Sequence, residues 1–428
     1  MRDRLRVAWW LSLILAACGG KGHGGPSNVD AGSDAGSDSA SADATTDGDA
    51  AASDTGSDSA SADATTDGDA SDVAADASAS PCTVSRFSLG AQVYGLPFLA
   101  WTGSDVLVLW DDLNAGIKGV RRGPDASTAG AAWVAPQSLF TGHAAFAWGG
   151  STVGVLFSNL NPPAKGDMTF ATLDANGGPV LAPTRIADPA TANWSELLAW
   201  NGSSFAAAWR AGSATTYVFT EIAPDGTVRY APTAPGGTGN QAYVSPDERG
   251  GWWWTNVAAS LASDLTIARI GSGGAVAASQ VAHDSQLLIS PWIASGPAGT
   301  FLAYGNNDDE RLHLHAVDAT TAALAADKPL QMNVFSPTIA LAWGGDRLGL
   351  AWYALDHSAG KTTISFVELD SSGNMRGAPT AISTLNEGAD VEGQITPNWL
   401  IWTGTRWVIA WIAHRDTNDL MLSTVTCP

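Results

Sequence analysis

The chain has 428 residues, room for one large or two ordinary domains, with 21 Lys and Arg against 42 Asp and Glu for a net charge of −21. That balance excludes a nucleic-acid partner, which needs a basic footprint. The deficit is uneven: residues 19–80 hold thirteen Asp against Lys21 alone, so over half of the net charge sits in one tract.

Residues 1–18 read as a secretory signal. Arg2, Arg4 and Arg6 form a basic start, and residues 7–15 form an apolar run too short to span a membrane. The run ends in Leu15, Ala16, Ala17 and Cys18, which resembles the lipobox of bacterial lipoproteins. The resemblance implies that Cys18 is acylated, becomes the mature N-terminus and anchors the chain to a membrane. Gly19 replaces the Asp that retains such proteins in the inner membrane, so the family pattern implies the outer membrane or cell surface.

Residues 19–80 are Asp, Ser, Ala, Gly and Thr almost throughout, and residues 33–50 recur as 53–70 with Ala35 replaced by Thr55. Such a segment buries too little apolar surface to offset chain entropy, so it is expected to be a disordered linker. Coil statistics give it an end-to-end span of roughly 45 Å, lengthened by self-repulsion. Its Asp-Gly fragments lack the Glu and the hydrophobic frame of a calcium loop, and they read as a solvated spacer.

From Cys82 the composition changes to aromatic and β-branched residues. One phrase keeps returning: a Trp, a Gly two positions later, and an aromatic nine positions after the Trp. It runs from Trp101 to Trp110, Trp148 to Phe157, Trp200 to Trp209, Trp343 to Trp352 and Trp402 to Trp411. Each copy reads as a β-hairpin, with Gly supplying the positive φ of a primed turn and period-two apolar residues following it. Two blurred copies, at 241–256 and 290–305, fill the gap between the third and fourth clear ones. A second turn follows most hairpins, at 174–177, 223–226, 271–274 and 370–373. Two hairpins per repeat of about 50 residues make four strands, the content of one propeller blade.

The expected fold is therefore all-β: a seven-bladed β-propeller of four-stranded blades over residues 82–428, with six or eight blades also fitting the length. The last repeat has one strand too few, and residues 83–89 precede the first hairpin with no partner of their own. That segment can pair with residues 420–426 and close the ring, leaving no open sheet edge. The same closure brings together Cys82 and Cys427, the two cysteines besides Cys18. In an exported protein they are expected to form a disulfide.

Chemistry is sparse. There is no nucleophile elbow, zinc-protease motif, phosphate loop or paired-cysteine motif. His313 and His315 share a strand face beside Asp308, Asp309 and Glu310, a set that could hold a metal or stand as a solvated loop. Blade geometry places Asp111, Asp112, Asp308, Asp309, Glu310, Asp356, His357, Asp416 and Asp419 at one end of the ring, with Glu387, Asp390 and Glu392 in a blade-to-blade link. An acidic end could hold calcium or meet a basic partner, and simple polar loops would look the same. Trp194, Trp292 and Trp399 near the first-strand starts could stack on sugars or pack between strands. Residues 245–252 faintly resemble the Asp-box turn of sialidases, departing at Arg249 where Gly is expected. The whole chain resembles propeller lipoproteins of myxobacteria that share the lipobox, the Asp/Ser/Ala stalk and the Trp-Gly hairpins. These readings point to a monomeric, lipid-anchored binding or scaffold protein without an enzyme activity or resident cofactor, facing a surface protein or glycan. The alternative is a secreted polysaccharide hydrolase or lyase of the glycosidase or sialidase-like propeller kind.

Overall fold

The structure is a computed structural model. It describes residues 82–428 apart from internal segments at 94–96, 113–115, 137–140, 160–166, 188–192, 212–215, 238, 259–263, 284–287, 307–308, 333–334, 357–360, 384–398 and 414–418. The expected signal, Cys18 and the linker lie outside the described residues, as do Asp308, His357, Asp416, Glu387, Asp390 and Glu392. No helix among the described residues is long and apolar enough to cross a membrane.

Seven antiparallel sheets form a ring. Strand β1 (Thr83–Gln92) comes first in the chain. Blade 1 contains β2 (Phe98–Trp101), β3 (Val106–Asp112), β4 (Gly116–Arg122) and β5 (Trp133–Val134). Blade 2 contains β6 (Thr141–Trp148), β7 (Val153–Asn159), β8 (Met168–Leu173) and β9 (Pro179–Ala187). In blade 3, β10 (Asn193–Trp200), β11 (Phe205–Arg210) and β12 (Tyr217–Ile222) form the sheet. Its fourth position is reduced to the isolated bridges Ile222↔Val228 and Phe219↔Thr233. Blade 4 contains β13 (Gly239–Pro246), β14 (Trp252–Ala258), β15 (Asp264–Ile270) and β16 (Val276–His283). Blade 5 contains β17 (Leu288–Gly296), β18 (Gly299–Asn306), β19 (Arg311–Val317) and β20 (Lys328–Met332). Blade 6 contains β21 (Phe335–Gly344), β22 (Arg347–Asp356), β23 (Lys361–Leu369) and β24 (Thr380–Ala381). The chain ends with β25 (Leu400–Trp402), β26 (Trp407–Ala413) and β27 (Asp419–Thr426).

Closure follows the expected route. β1 becomes the outer strand of blade 7, pairing antiparallel with β27 from Thr83↔Thr426 to Ser88↔Met421. Cys82 and Cys427 are disulfide-bonded with Cα atoms 4.3 Å apart. Inner strands of successive blades neighbour one another, and β2 meets β25 to complete the circle.

The hairpin phrase has a local and a tertiary cause. Thr102 and Asp105 close the first turn through a 3.0 Å backbone bond, and Gly103 between them sits at φ +96°. Positive φ at the first central residue alone is the II′ pattern that matches strand twist. The pair Trp101↔Val106 then puts Val106, Val108 and Trp110 on the same face as Trp101. That face packs against blade 7, among Trp407, Ile409 and Leu422. Leu107 and Leu109 point the other way, toward Phe146, Val155 and Phe157 of blade 2. Each second strand is thus buried on both faces, which is why its sequence is an unbroken apolar run.

Glycines receive the aromatic side chains of the following blade. A Cβ on Gly154 would stand 2.5 Å from Phe205, and one on Gly349 2.8 Å from Trp407. Carboxylate–arginine pairs staple the turn end within blades: Asp105 with Arg121, Glu221 with Arg229 at 2.8 Å, Asp247 with Arg269 at 2.5 Å and Glu368 with Arg347 at 3.2 Å.

Candidate functional site

The inner strands surround a central cavity of about 220 Å³. It is lined by residues 98–101, 147–148, 198–200 and 244–246 together with Trp292, so blades 1 to 5 contribute. Trp101, Trp148 and Trp200 are partly exposed, and each ends an inner strand just before its hairpin turn. They therefore stand toward the turn end of the ring, opposite the loops that follow β3 and its counterparts. Ser245 contributes the one hydroxyl of the described lining. Its hydroxyl is buried without a hydrogen-bond partner among the described residues. A buried unpartnered hydroxyl costs free energy that a ligand can recover.

Deeper in the channel, the Trp292 indole donates to Leu341 O at 2.8 Å and meets Tyr243 edge-on at 5.5 Å. Burial pushes the Tyr243 phenol up to about 12, Tyr217 adds to the rise, and a hydrogen bond with Ser290 opposes it. Ser290 takes a left-handed backbone at φ 50°, and its amide donates to Gln241 Oε1 at 3.3 Å. Of the three indoles expected at the mouth, Trp292 lines the cavity among the described residues. Trp399 is 0% exposed in the core shared with Trp407 and Leu400 and offers no face for stacking. Trp194 lies on β10, where its side chain is outside the described residues.

The acidic side chains expected at one end of the ring do not gather into one cluster among the described residues. Asp111 is 4% exposed, and Asp112 accepts a 2.6 Å bond from Lys118. Asp309 accepts from the Arg311 amide at 3.1 Å and lies 3.1 Å from His313 Nε2. Glu310 is exposed, with φ 55°. Asp356 and Asp419 are strand-end residues of β22 and β27, and the Asp356 side chain is outside the described residues.

His313 and His315 share a face, as expected, and both stack on Tyr304 at 5.0 and 5.5 Å. His313 Nδ1 lies 2.8 Å from Asp327 Oδ2 and its Nε2 faces Asp309, while His315 meets Ala325 O at 2.9 Å and Tyr304 Oη at 3.2 Å. All four ring nitrogens are engaged by protein atoms, so a metal would have to displace them. Among the described residues no group of three or more His, Cys, Asp or Glu is arranged to hold a metal ion. The turn with a faint Asp-box likeness uses Asp247 to hold Arg269 and to close on Gly251 O at 3.0 Å, a structural role.

No family model matches the chain, and no curated protein matches it. Solved structures do. A prolyl endopeptidase aligns with TM-score 0.48 and 14% identity over 78% of this chain, which spans 47% of that protein's length. A hydrazine synthase from Kuenenia stuttgartiensis aligns with TM-score 0.43 and 11% identity over 63% of this chain and 76% of that one.

The residues that line the cavity were only half visible in the sequence. Trp101, Trp148 and Trp200 belong to the hairpin phrase, where they read as markers of the repeat. Their place at the last position before a tight turn was the signal that they end at the channel.

Proposed function

We propose that this protein is an exported, lipid-anchored surface module whose propeller binds carbohydrate in the central channel without cleaving it. The observation that carries the reading is the cavity lining: Trp101, Trp148 and Trp200, which pack against the seams between blades yet stay partly exposed at the same position of three successive inner strands, together with Ser245, whose hydroxyl has no partner among the described residues. Indole faces suit the apolar faces of sugar rings, and a hydroxyl fixes orientation, the usual division of labour in a small-ligand site. Hydrolysis of a glycosidic bond takes a pair of carboxylates across the bond. The described lining supplies aromatic, aliphatic and hydroxyl groups instead, which favours retention over turnover. The anchor reading rests on Cys18 and its preceding apolar run, with the Asp-rich tract as spacer.

A glycan array probed with residues 82–428 tests the binding claim. Selective retention of a glycan class, lost in Trp148→Ala and Trp200→Ala, supports it. An array without any bound glycan, or binding that survives both substitutions, overturns it.

A further inference from the structure

A second cavity, of about 620 Å³, lies where blade 7 meets the outer half of blade 1. Leu89 and Gly90 of β1 form one wall. Trp110, Asp112, Lys118, Val120 and Arg122 form the other, with Val134 on β5 at the rim. The register explains the company: Trp110↔Lys118, Val108↔Val120 and Val106↔Arg122 place these side chains on one face of the blade. Val134 is 55% exposed, an apolar side chain left uncovered at the opening.

Arg122 is the one arginine among the described residues that is buried. It is 8% exposed, its Nη1 donates to Ala126 O at 2.7 Å, and its Nε is buried with no partner among the described residues. The neighbouring Arg121, and Arg229, Arg269 and Arg347 in other blades, each meet a carboxylate. Burial pulls the Arg122 guanidinium below its ordinary pKa, with no carboxylate among the described residues acting against it. A buried charge without a counter-ion is costly, and such groups persist where they meet an anion. The indole Nε1 of Trp110, in the same wall, also lacks an acceptor among the described residues. Lys118 is neutralised by Asp112 at 2.6 Å, so among the described residues the uncompensated charge of the cavity is that of Arg122.

We propose that this cavity is a second binding site, taking a small organic carboxylate whose apolar body lies along Trp110, Val120 and Val134 while its carboxylate pairs with Arg122. The volume falls within the range of small-molecule sites, and a planar guanidinium is matched to a carboxylate. The inference is independent of the channel reading, because the two cavities share no residue.

The test uses calorimetric titration of residues 82–428 with matched pairs: benzoate and benzamide, indole-3-acetate and indole-3-acetamide, galacturonate and galactose. The arms separate an aromatic acid from a sugar acid. At least one carboxylate is expected to bind, with its uncharged counterpart and the Arg122→Gln variant each weaker by about tenfold or more. Trp200→Ala is expected to leave that binding unchanged. Without ligand, Arg122→Met is expected to melt no lower than wild type, since it removes an uncompensated buried charge. Failure of all three acids to bind, binding indifferent to Arg122→Gln, or a clearly lower melting temperature for Arg122→Met would overturn the proposal. The last result would make Arg122 a structural cap on the Ala126 carbonyl.

Discussion

Removing the Cys82–Cys427 bond perturbs ring closure at the edge of the blade 7 core, against which both cysteines pack. The bond ties positions 345 residues apart, so in the chain-entropy relation it constrains the unfolded chain by about 6 kcal/mol at 25 °C. A domain of this size gains roughly 0.7 kcal/mol per kelvin of unfolding entropy near its midpoint, so that loss corresponds to a fall of roughly 8 °C in Tm. β1 adds a local consequence, since its ladder neighbour is β27 alone. Freed from the disulfide, β1 is held by the pairs from Thr83↔Thr426 onward, and it should be the first strand to exchange its amides. The assay is calorimetry of residues 82–428 as the oxidised protein, after reduction, and as Cys82→Ser with Cys427→Ser, followed by hydrogen exchange. A Tm that stays within about 1 °C across the three forms, with β1 amides equally protected, would refute the closure argument.

Other outcomes follow from the same geometry. Gly154→Ala should cost about 1–3 kcal/mol by urea unfolding, because its new Cβ would stand 2.5 Å from Phe205 in the seam between blades 2 and 3. Tyr243 keeps its proton to about 12 in the folded state, against 10.0 for an ordinary tyrosine. Its stability contribution is therefore intact below pH 10 and lost as pH rises from 10 to 12, about 2–3 kcal/mol in all. Urea unfolding at stepped pH should show a smaller alkaline loss for Tyr243→Phe. Cys18→Ser in the full chain should shift the protein from membrane to soluble fractions, because stable anchoring rests on buried acyl methylenes worth about 0.8 kcal/mol each. Continued co-fractionation with membranes would remove the lipobox reading.

The fold was legible because each blade repeats one solution at two scales. A Gly at the hairpin tip and alternating apolar residues after it declare local strands, and Trp101 with Trp110 declares the face that meets the preceding blade. Even the missing strand could be counted, which led to β1 and to Cys82 with Cys427. The sites were less legible for physical reasons. Trp399 and Trp292 look alike in sequence and both are buried, yet only Trp292 also borders the cavity; which neighbours surround each is a tertiary fact that spacing does not carry. The cost of Arg122 is a matter of what is not beside it in space, which spacing cannot express. Asp111 and Asp112 read as part of an acidic loop end open to a cation or a basic partner, but strand alternation buries the first and turns the second onto Lys118.

The most direct test of the central claim is to follow the fate of a bound glycan. Purified residues 82–428 should be incubated with the glycan class selected on the array, and the solution analysed for new reducing or unsaturated ends beside a binding titration. Saturable binding, with the glycan recovered intact and affinity lost in Trp200→Ala, is the predicted result. Accumulation of cleaved products, abolished in the same variant, would contradict the account and make the channel an active site.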